Sequence, residues 1–333
     1  MVKRTWLVLV PLMAACSGES ASDPAASAGS VGAVAGGGSG GSGGGGTGGT
    51  GGSAGGTAGS GAGSAGAAAP DCSGAFGTPV NRLSVPAPAL LASPSIGPGE
   101  LELFYVQYDT EVGPITFRRS VRASRDAEFP PGEVVSELDA ACEPGHERML
   151  DLTQDGLRAY LVCFAPGSLT YEGPLRVARR ESLAGPFVLD ADEYGYVGPS
   201  PSISSDELSL YTSAEDSEGA WLMVSLRDSS MSSFDPNDVI SELSSEALTS
   251  PDIGPDQRAL FAGHWDGGIA RATRADASSP FGHSEIVVPP VKGTSYDDGV
   301  FFGAPDASGD CRTLYAVSID QAADVYSIAE IRR

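Results

Sequence analysis

Histidine is scarce in this sequence, basic charge is scarcer than acid, and no apolar run is long. The 333 residues hold three histidines, and 20 Lys+Arg stand against 43 Asp+Glu, a formal net charge of −23. So acidic a chain is a poor partner for nucleic acid or anionic lipid surfaces, which are held by basic patches. It stays compatible with basic partners, neutral glycans or a divalent cation such as Ca²⁺. No Gly-x-Ser-x-Gly elbow stands in a strand–turn–helix context, and there is no His-Glu-x-x-His, so nucleophile-elbow and zinc-protease chemistry find no support. The five cysteines include no Cys-x-x-Cys pair and no nearby His pair, which argues against zinc. The one apolar run, Trp6 to Ala15, is too short to span a bilayer as a helix.

Glycine is present in excess, with 45 residues, and it is concentrated. Residues 17–70 are almost all Gly, Ala, Ser and Thr. Such a segment buries too little apolar surface to offset its ordering entropy, so it is expected to be a disordered tether. Its 54 residues would reach roughly 40 Å at about 5–6 Å × √n. Its glycines are no phosphate loop, because no Lys-Ser/Thr follows. Residues 71–333 remain for one large folded core.

The start, MVKRTWLVLVPLMAAC, has a basic tip, an apolar run and small residues before Cys16, as a secretory signal does. LMAAC resembles the lipobox of bacterial lipoproteins. That resemblance implies a signal peptide over 1–15 and a lipidated Cys16 anchoring the chain to the cell envelope. Ser17, rather than Asp, follows the cysteine; by resemblance to enterobacterial lipoproteins this implies the outer membrane. Without Lys3 and Arg4 the net charge goes from −23 to −25.

The rest of the chain repeats itself. PSIGPGELELF from Pro94, LDLTQDGLRAY from Leu150, PSISSDELSLY from Pro201, PDIGPDQRALF from Pro251 and PDASGDCRTLY from Pro305 align without gaps, 56, 51, 50 and 54 residues apart. A period near 50 marks a repeat architecture. Each unit has a short extended run, a turn rich in Gly, Pro or Asp, and a run ending in an aromatic: Phe104, Tyr160, Tyr211, Phe261 or Tyr315. A third strand follows (ITFRRSVR, LRVARRES, WLMVSLRD, GIARATRA, VYSIAEIRR), then a loop usually bearing Phe129, Phe187, Phe234 or Phe281. A weaker fourth strand closes each unit: VVSELD, FVLDAD, VISELS, SEIVV. The fifth unit lacks it, while AFGTPVNRLS from Ala75 copies its pattern. The expected fold is all-β: a five-bladed propeller of four-stranded blades, closed by the N-terminal strand, which hides sheet edges that would otherwise be exposed.

The core Pro-Asp-Ile-Gly-Pro-Asp from Pro251 resembles the TolB-type, WD-like β-propeller repeat, although no unit carries its full Ser-Pro-Asp-Gly and those proteins often have six blades. The resemblance covers about 71–333 and implies a fold rather than an activity.

With Cys16 lipidated, four cysteines remain, an exported pattern that suggests two disulfides. Cys72 precedes the strand given to the last blade and Cys311 lies in that blade's turn, so a bond between them would lock the ring. Cys142 and Cys163 would form the other.

Two sets of residues could carry function. Hairpins between second and third strands, with the connections into each first strand, share one face. They bring Tyr108, Asp109, Tyr171, Asp216, His264, Trp265, Asp266 and Asp320 together with His146, Tyr194, Tyr196, Tyr296, Asp297 and Asp298. Acids with aromatics suit sugars, cations or basic peptides, although Asp is also simply a turn residue. The second set is Asp151, Asp252 and Asp306, one repeat position beside the expected tunnel. Five-bladed glycoside hydrolases use carboxylates there as acid and base or nucleophile. The expectation is a monomeric, membrane-anchored binding module for a glycan, cation or envelope protein, with no cofactor. The alternatives are a glycosidase and a scaffold in an envelope complex.

Overall fold

Each repeat unit becomes one small antiparallel sheet because short turns after its first strand, and longer loops before its fourth, bring the chain back alongside itself. A computed structural model describes residues 70–86, 88–109, 113–165, 172–192, 194–216, 219–291 and 299–333, with only the backbone of Pro86, Glu215 and Asp216. The signal-like start, Cys16, the Gly-rich tract, Tyr171, Tyr296, Asp297 and Asp298 lie outside the described residues.

Blade 1 comprises β2 (Leu90–Ile96), β3 (Glu102–Tyr108), β4 (Ile115–Val121) and β5 (Glu133–Val134). Blade 2 comprises β6 (Glu147–Leu152), β7 (Arg158–Phe164) and β8 (Gly173–Arg179), edged by β9 (Val188–Leu189) and β10 (Tyr196–Val197). Blade 3 comprises β11 (Ser202–Ile203), β12 (Ser209–Asp216), β13 (Gly219–Leu226) and β14 (Asp238–Val239). Blade 4 comprises β15 (Leu248–Ile253), β16 (Ala259–His264), β17 (Ile269–Thr273) and β18 (Glu285–Val288). Blade 5 is β19 (Val300–Ala307), β20 (Thr313–Asp320) and β21 (Val325–Arg332), completed by the N-terminal β1 (Val80–Pro86). The chain is a five-bladed β-propeller, and β1 pairs with β21 from Val80↔Glu330 to Pro86↔Val325. Among the described residues no helix is long and apolar enough to cross a membrane.

The second strands do not simply alternate between core and solvent. β3 and β7 are buried on both faces because each blade is sandwiched between two others. The apolar core accordingly divides into four clusters, at the junctions of blades 1 and 2, 2 and 3, 3 and 4, and 4 and 5. The fourth strands are shorter than expected. In blades 1 and 3 they are two-residue stubs, and the SELD and SEL that follow wind into helical turns at Ser136–Asp139 and Ser241–Leu243. An outermost strand has no neighbour to bury its far side, so little favours lengthening it.

A second repeating device ties the outer part of each blade to its own inner turn. The last arginine of each third-strand run stacks on the aromatic of the following loop. Arg122 lies 4.4 Å from the Phe129 centroid, Arg180 4.8 Å from Phe187, Arg227 4.3 Å from Phe234, Arg274 4.4 Å from Phe281 and Arg333 5.1 Å from Phe76. The Nε–H of Arg122, Arg180, Arg227 and Arg274 donates to the carbonyls of Glu100, Gly156, Glu207 and Gln257. Those carbonyls belong to the seventh residue of each unit, which is left-handed in all five blades: Glu100 (φ 60), Gly156 (φ 67), Glu207 (φ 61), Gln257 (φ 55) and Cys311 (φ 56). In four blades an Asp just before it holds this turn. Oδ1 of Asp155, Asp206, Asp256 and Asp310 accepts from the amides of Leu157, Leu208, Arg258 and Arg312.

Both expected disulfides are formed. Cys72–Cys311 has its Cα atoms 5.1 Å apart and Cys142–Cys163 5.5 Å apart. The junction of blades 5 and 1 is further marked by buried charge. Arg122 Nη1 lies 2.8 Å from Glu330 Oε2, Arg82 Nη2 lies 3.1 Å from Glu330 Oε1, and the Tyr315 hydroxyl donates to Glu100 at 3.0 Å. Burial pushes the Glu330 carboxyl up, but the hydrogen bonds from Arg122 and Arg82 outweigh it and hold it below its ordinary value.

Candidate functional site

The innermost strands carry a local irregularity that aims one side chain at the axis. In four blades a left-handed residue precedes a proline: Ser93 (φ 45), Ser200 (φ 56), Ser250 (φ 48) and Ala304 (φ 44) stand before Pro94, Pro201, Pro251 and Pro305. Proline donates no ladder hydrogen bond, so it sits naturally at a bulge. The register shifts there in blades 1, 4 and 5, between Ala92 and Ser95, Thr249 and Asp252, and Gly303 and Asp306. Blade 2 has Met149-Leu150 instead, and its register runs unbroken from Glu147↔Phe164 to Leu152↔Ala159.

The same repeat position in each blade holds Ser95, Asp151, Ser202, Asp252 or Asp306, and all five are buried. Each accepts the amide of the next residue position in the following blade. Leu152 N donates to Ser95 Oγ (3.0 Å), Ile203 N to Asp151 Oδ2 (2.8 Å), Ile253 N to Ser202 Oγ (2.9 Å), Ala307 N to Asp252 Oδ2 (2.8 Å) and Ile96 N to Asp306 Oδ2 (2.6 Å). The five bonds form a closed circle around the axis. The two serines also donate: Ser95 Oγ to Asp151 Oδ1 (3.1 Å) and Ser202 Oγ to Asp252 Oδ1 (3.3 Å). Asp151 and Asp252 therefore use both oxygens within the protein. Asp306 uses one; among the described residues no hydrogen bond reaches its Oδ1.

Three carboxyls this close to one axis cannot all ionise freely. Burial pushes Asp151 up to about 7, against the hydrogen bonds from Ile203 and Ser95. Burial and the charge of Asp151 push Asp252 up to about 8. Burial, Asp252 and Asp151 push Asp306 well above the ordinary value. These protons belong to the group rather than to single residues.

The acids line a cavity of about 260 Å³ on the axis. Its wall is made by the turns between first and second strands, including Gly97–Glu100, Gln154, Pro255 and Gly309–Asp310, with Arg125 from a neighbouring loop. It therefore opens on the turn face, opposite the face formed by the hairpins. Arg125 is held at the rim, 3.2 Å from Glu100 Oε1 and 4.0 Å from Asp310 Oδ2. Met149 is the one long side chain among those that precede the ring by two residues; it is buried, and its sulfur accepts the Ser93 hydroxyl at 3.3 Å. A larger depression, about 520 Å³, lies at the outer rim between blades 1 and 2; its acids, Glu133 and Glu137, are exposed.

The residues expected on the hairpin face do not converge with the axial acids. Tyr108 and Tyr194 are core residues and offer no platform: both are buried, and the Tyr194 hydroxyl donates to Asp190 at 2.9 Å. Trp265 and Tyr196 are exposed, at 52% and 68%. Asp109 accepts from Gln107 Nε2 at 2.6 Å and Asp320 from the Ala323 amide at 3.0 Å, so each ties its own local chain. Asp266 is exposed beside His264, whose Nδ1 accepts the Asp266 amide at 3.1 Å. His146 sits 3.5 Å from Glu143. Asp216 is placed by its backbone alone, at the end of β12. Among the described residues no group of three or more His, Cys, Asp or Glu is arranged to hold a metal ion, Ca²⁺ included. Sequence reasoning missed that Ser95 and Ser202 complete the axial ring. The signal was present, as the same column of the repeat, but attention to acids alone hides it.

No protein-family model matches this chain, and no curated protein sequence does. Among solved structures the fold is similar to that of a GH43_1 enzyme from Xanthomonas citri, at 14% identity over 75% of this chain and 90% of that one, with a TM-score of 0.49. A thermostable family-43 glycoside hydrolase is similar at 12% identity over 74% and 90%, with a TM-score of 0.47. TolB from Acinetobacter baumannii is similar at 10% identity over 74% of this chain and 54% of that one, with a TM-score of 0.37. At such identities these are likenesses of fold.

Proposed function

We propose that this chain is a lipid-anchored protein of the bacterial outer membrane whose propeller is a binding module, taking its ligand at the axial mouth on the turn face. The LMAAC stretch with Cys16 and the Gly-rich tract support the anchor and tether. One observation favours binding over bond breaking. Asp151 and Asp252 spend both carboxylate oxygens on stitching blades together. A glycosidase needs one carboxyl free to protonate the leaving oxygen and a second free to face the sugar carbon or a water. The ring leaves a single oxygen for a ligand.

The second reading, a glycoside hydrolase, draws on the raised axial carboxyls, because a carboxyl that keeps its proton near neutral pH can act as a general acid. One experiment separates the two. The full chain is incubated with immobilised glycans and basic peptides, with and without Ca²⁺, and retention and release of reducing ends are followed together. Retention without release is expected. Release that is lost in Asp252→Asn or Asp306→Asn would make the protein a hydrolase. Neither retention nor release would turn the search to an envelope protein partner.

A further inference from the structure

We propose that the axial mouth takes a protonated primary amine, from a lysine side chain or an amino sugar, seated on Oδ1 of Asp306. This rests on the reading of that mouth as the binding site. The stitch between blades does not require an acid, because Ser95 and Ser202 accept the same amide in blades 1 and 3. Serine and aspartate alternate around the ring as Ser95, Asp151, Ser202, Asp252. Five blades cannot close an alternation, so Asp306 falls next to Asp252. Each serine hydroxyl donates to an acid, and there are two serines for three acids. Asp306 is the acid left over. It is 6% exposed, it lines the cavity, and its Oδ1 has no hydrogen-bond partner among the described residues.

The groups facing it select the ligand's charge. Asp252, Asp151, Glu100 and Asp310 line the same cavity, with Arg125 as the sole basic side chain there among the described residues. Arg125 is already engaged by Glu100 and Asp310. The site is therefore short of positive charge, and a cation on Asp306 relieves the repulsion between neighbouring acids. The cavity's size and walls select the rest. At about 260 Å³ it lies below the usual range for drug-sized ligands and holds one chain end or one sugar ring. Among the described residues no aromatic lines it, so they offer no platform of the kind that favours a quaternary ammonium. A primary ammonium offers three donors to a group of carboxylates and forms charge-assisted bonds with them. Because the acids share protons near neutral pH, amine binding displaces a proton, and affinity rises with pH until the amine itself deprotonates.

The test uses the full chain in calorimetric titrations with Nα-acetyl-lysine methylamide and with glucosamine. The Nε-acetylated lysine derivative and N-acetylglucosamine serve as neutralised controls. Asp306→Asn is the informative variant: the asparagine oxygen still accepts the Ile96 amide, so the ring stays closed. We expect saturable binding of at least one amine, tighter at pH 7 than at pH 6, a range over which both amines stay mainly protonated. It should weaken by about tenfold to a hundredfold on acetylation and in Asp306→Asn, while the melting temperature of that variant at pH 8 does not fall. Binding of the lysine probe alone assigns a peptide source, and of glucosamine alone a glycan source. Equal binding by acetylated probes, an unaffected Asp306→Asn or a flat pH profile overturns the amine. Retention of other glycans or peptides would then leave the binding module standing. No binding of any probe or polymer overturns both.

Discussion

The seam of the ring and the side opposite it are closed by different means. Opposite the seam, around blades 1 to 4, apolar clusters fill the junctions, and serine meets aspartate at the axis in two of them. At the seam, where the N-terminal strand completes blade 5, Arg122 and Glu330 are buried together, a disulfide joins residues 239 apart in sequence, and Asp306, which stands beside Asp252 of blade 4, accepts the Ile96 amide of blade 1. A propeller whose first and last strands lie in the same blade must hold them together against the entropy of the chain between. Where neighbouring blades are joined by continuous chain, the links beyond apolar packing span less sequence: Cys142–Cys163 closes 21 residues, and Arg180 pairs with Glu102 between blades 1 and 2. The difference teaches that the seam is where the links must span the most sequence, and it is also where the repeat's surplus acid appears.

The disulfides give the largest expected contrast. On a chain-entropy view, opening Cys72–Cys311 costs about 5 kcal/mol and opening Cys142–Cys163, with its separation of 21 residues, about 3 kcal/mol. Denaturant unfolding of the two double-serine variants checks this; equal losses would mean that the seam has no special need of its bond.

The arginine stacks should differ next. Arg227 is fully buried, stacked on Phe234, and donates from Nη2 to the Tyr160 hydroxyl at 2.7 Å. Arg333, its counterpart at the seam, is exposed. Arg227→Lys should cost about 2 to 3 kcal/mol, since lysine cannot reproduce the planar fork, whereas Arg333→Lys should cost less than about 0.5 kcal/mol. Thermal unfolding of both variants reads the contrast directly.

At the axis the expected change has the opposite sign. A carboxyl whose pKa is higher in the folded chain than in the unfolded one binds protons more readily when folded. Its contribution to stability is fully present below about pH 4 and is lost as pH rises through about 7 for Asp151 and about 8 for Asp252. The wild-type chain should therefore lose stability between pH 4 and pH 8. Asp252→Asn or Asp306→Asn should flatten that profile and stabilise the chain by about 1 to 2 kcal/mol at pH 8. A melting temperature independent of pH in the wild type would remove the basis for this.

The smallest contrast lies in the left-handed turns. A Cβ on Gly156 would meet Pro98 Cδ at 2.7 Å, so Gly156→Ala should destabilise by about 1 to 2 kcal/mol. Gln257 already tolerates the same conformation at φ 55, and Gln257→Gly should change stability by less than about 1 kcal/mol. Paired unfolding curves would show whether blade 2 is the more tightly constrained of the two.

Much of this was open to sequence reasoning because a repeat reports on itself. The spacing of five aromatics from Phe104 to Tyr315, and the fourth strand missing after Arg333 but present near Ala75, determined five blades and a closed ring. The ring in turn paired Cys72 with Cys311 and Cys142 with Cys163. Turn residues at fixed offsets carry that information locally, and repetition averages away the weakness of each signal. The tertiary structure alone decided which face the axial acids open upon, that Tyr108 and Tyr194 are core residues, and that among the described residues Asp306 keeps an unpartnered oxygen while Asp151 and Asp252 do not. The reason is physical. A hydrogen bond from one blade's amide to the preceding blade's side chain joins residues about fifty apart or, across the seam, 210 apart. Such a partner is set by the geometry of closing the circle, and no local pattern of residues encodes it.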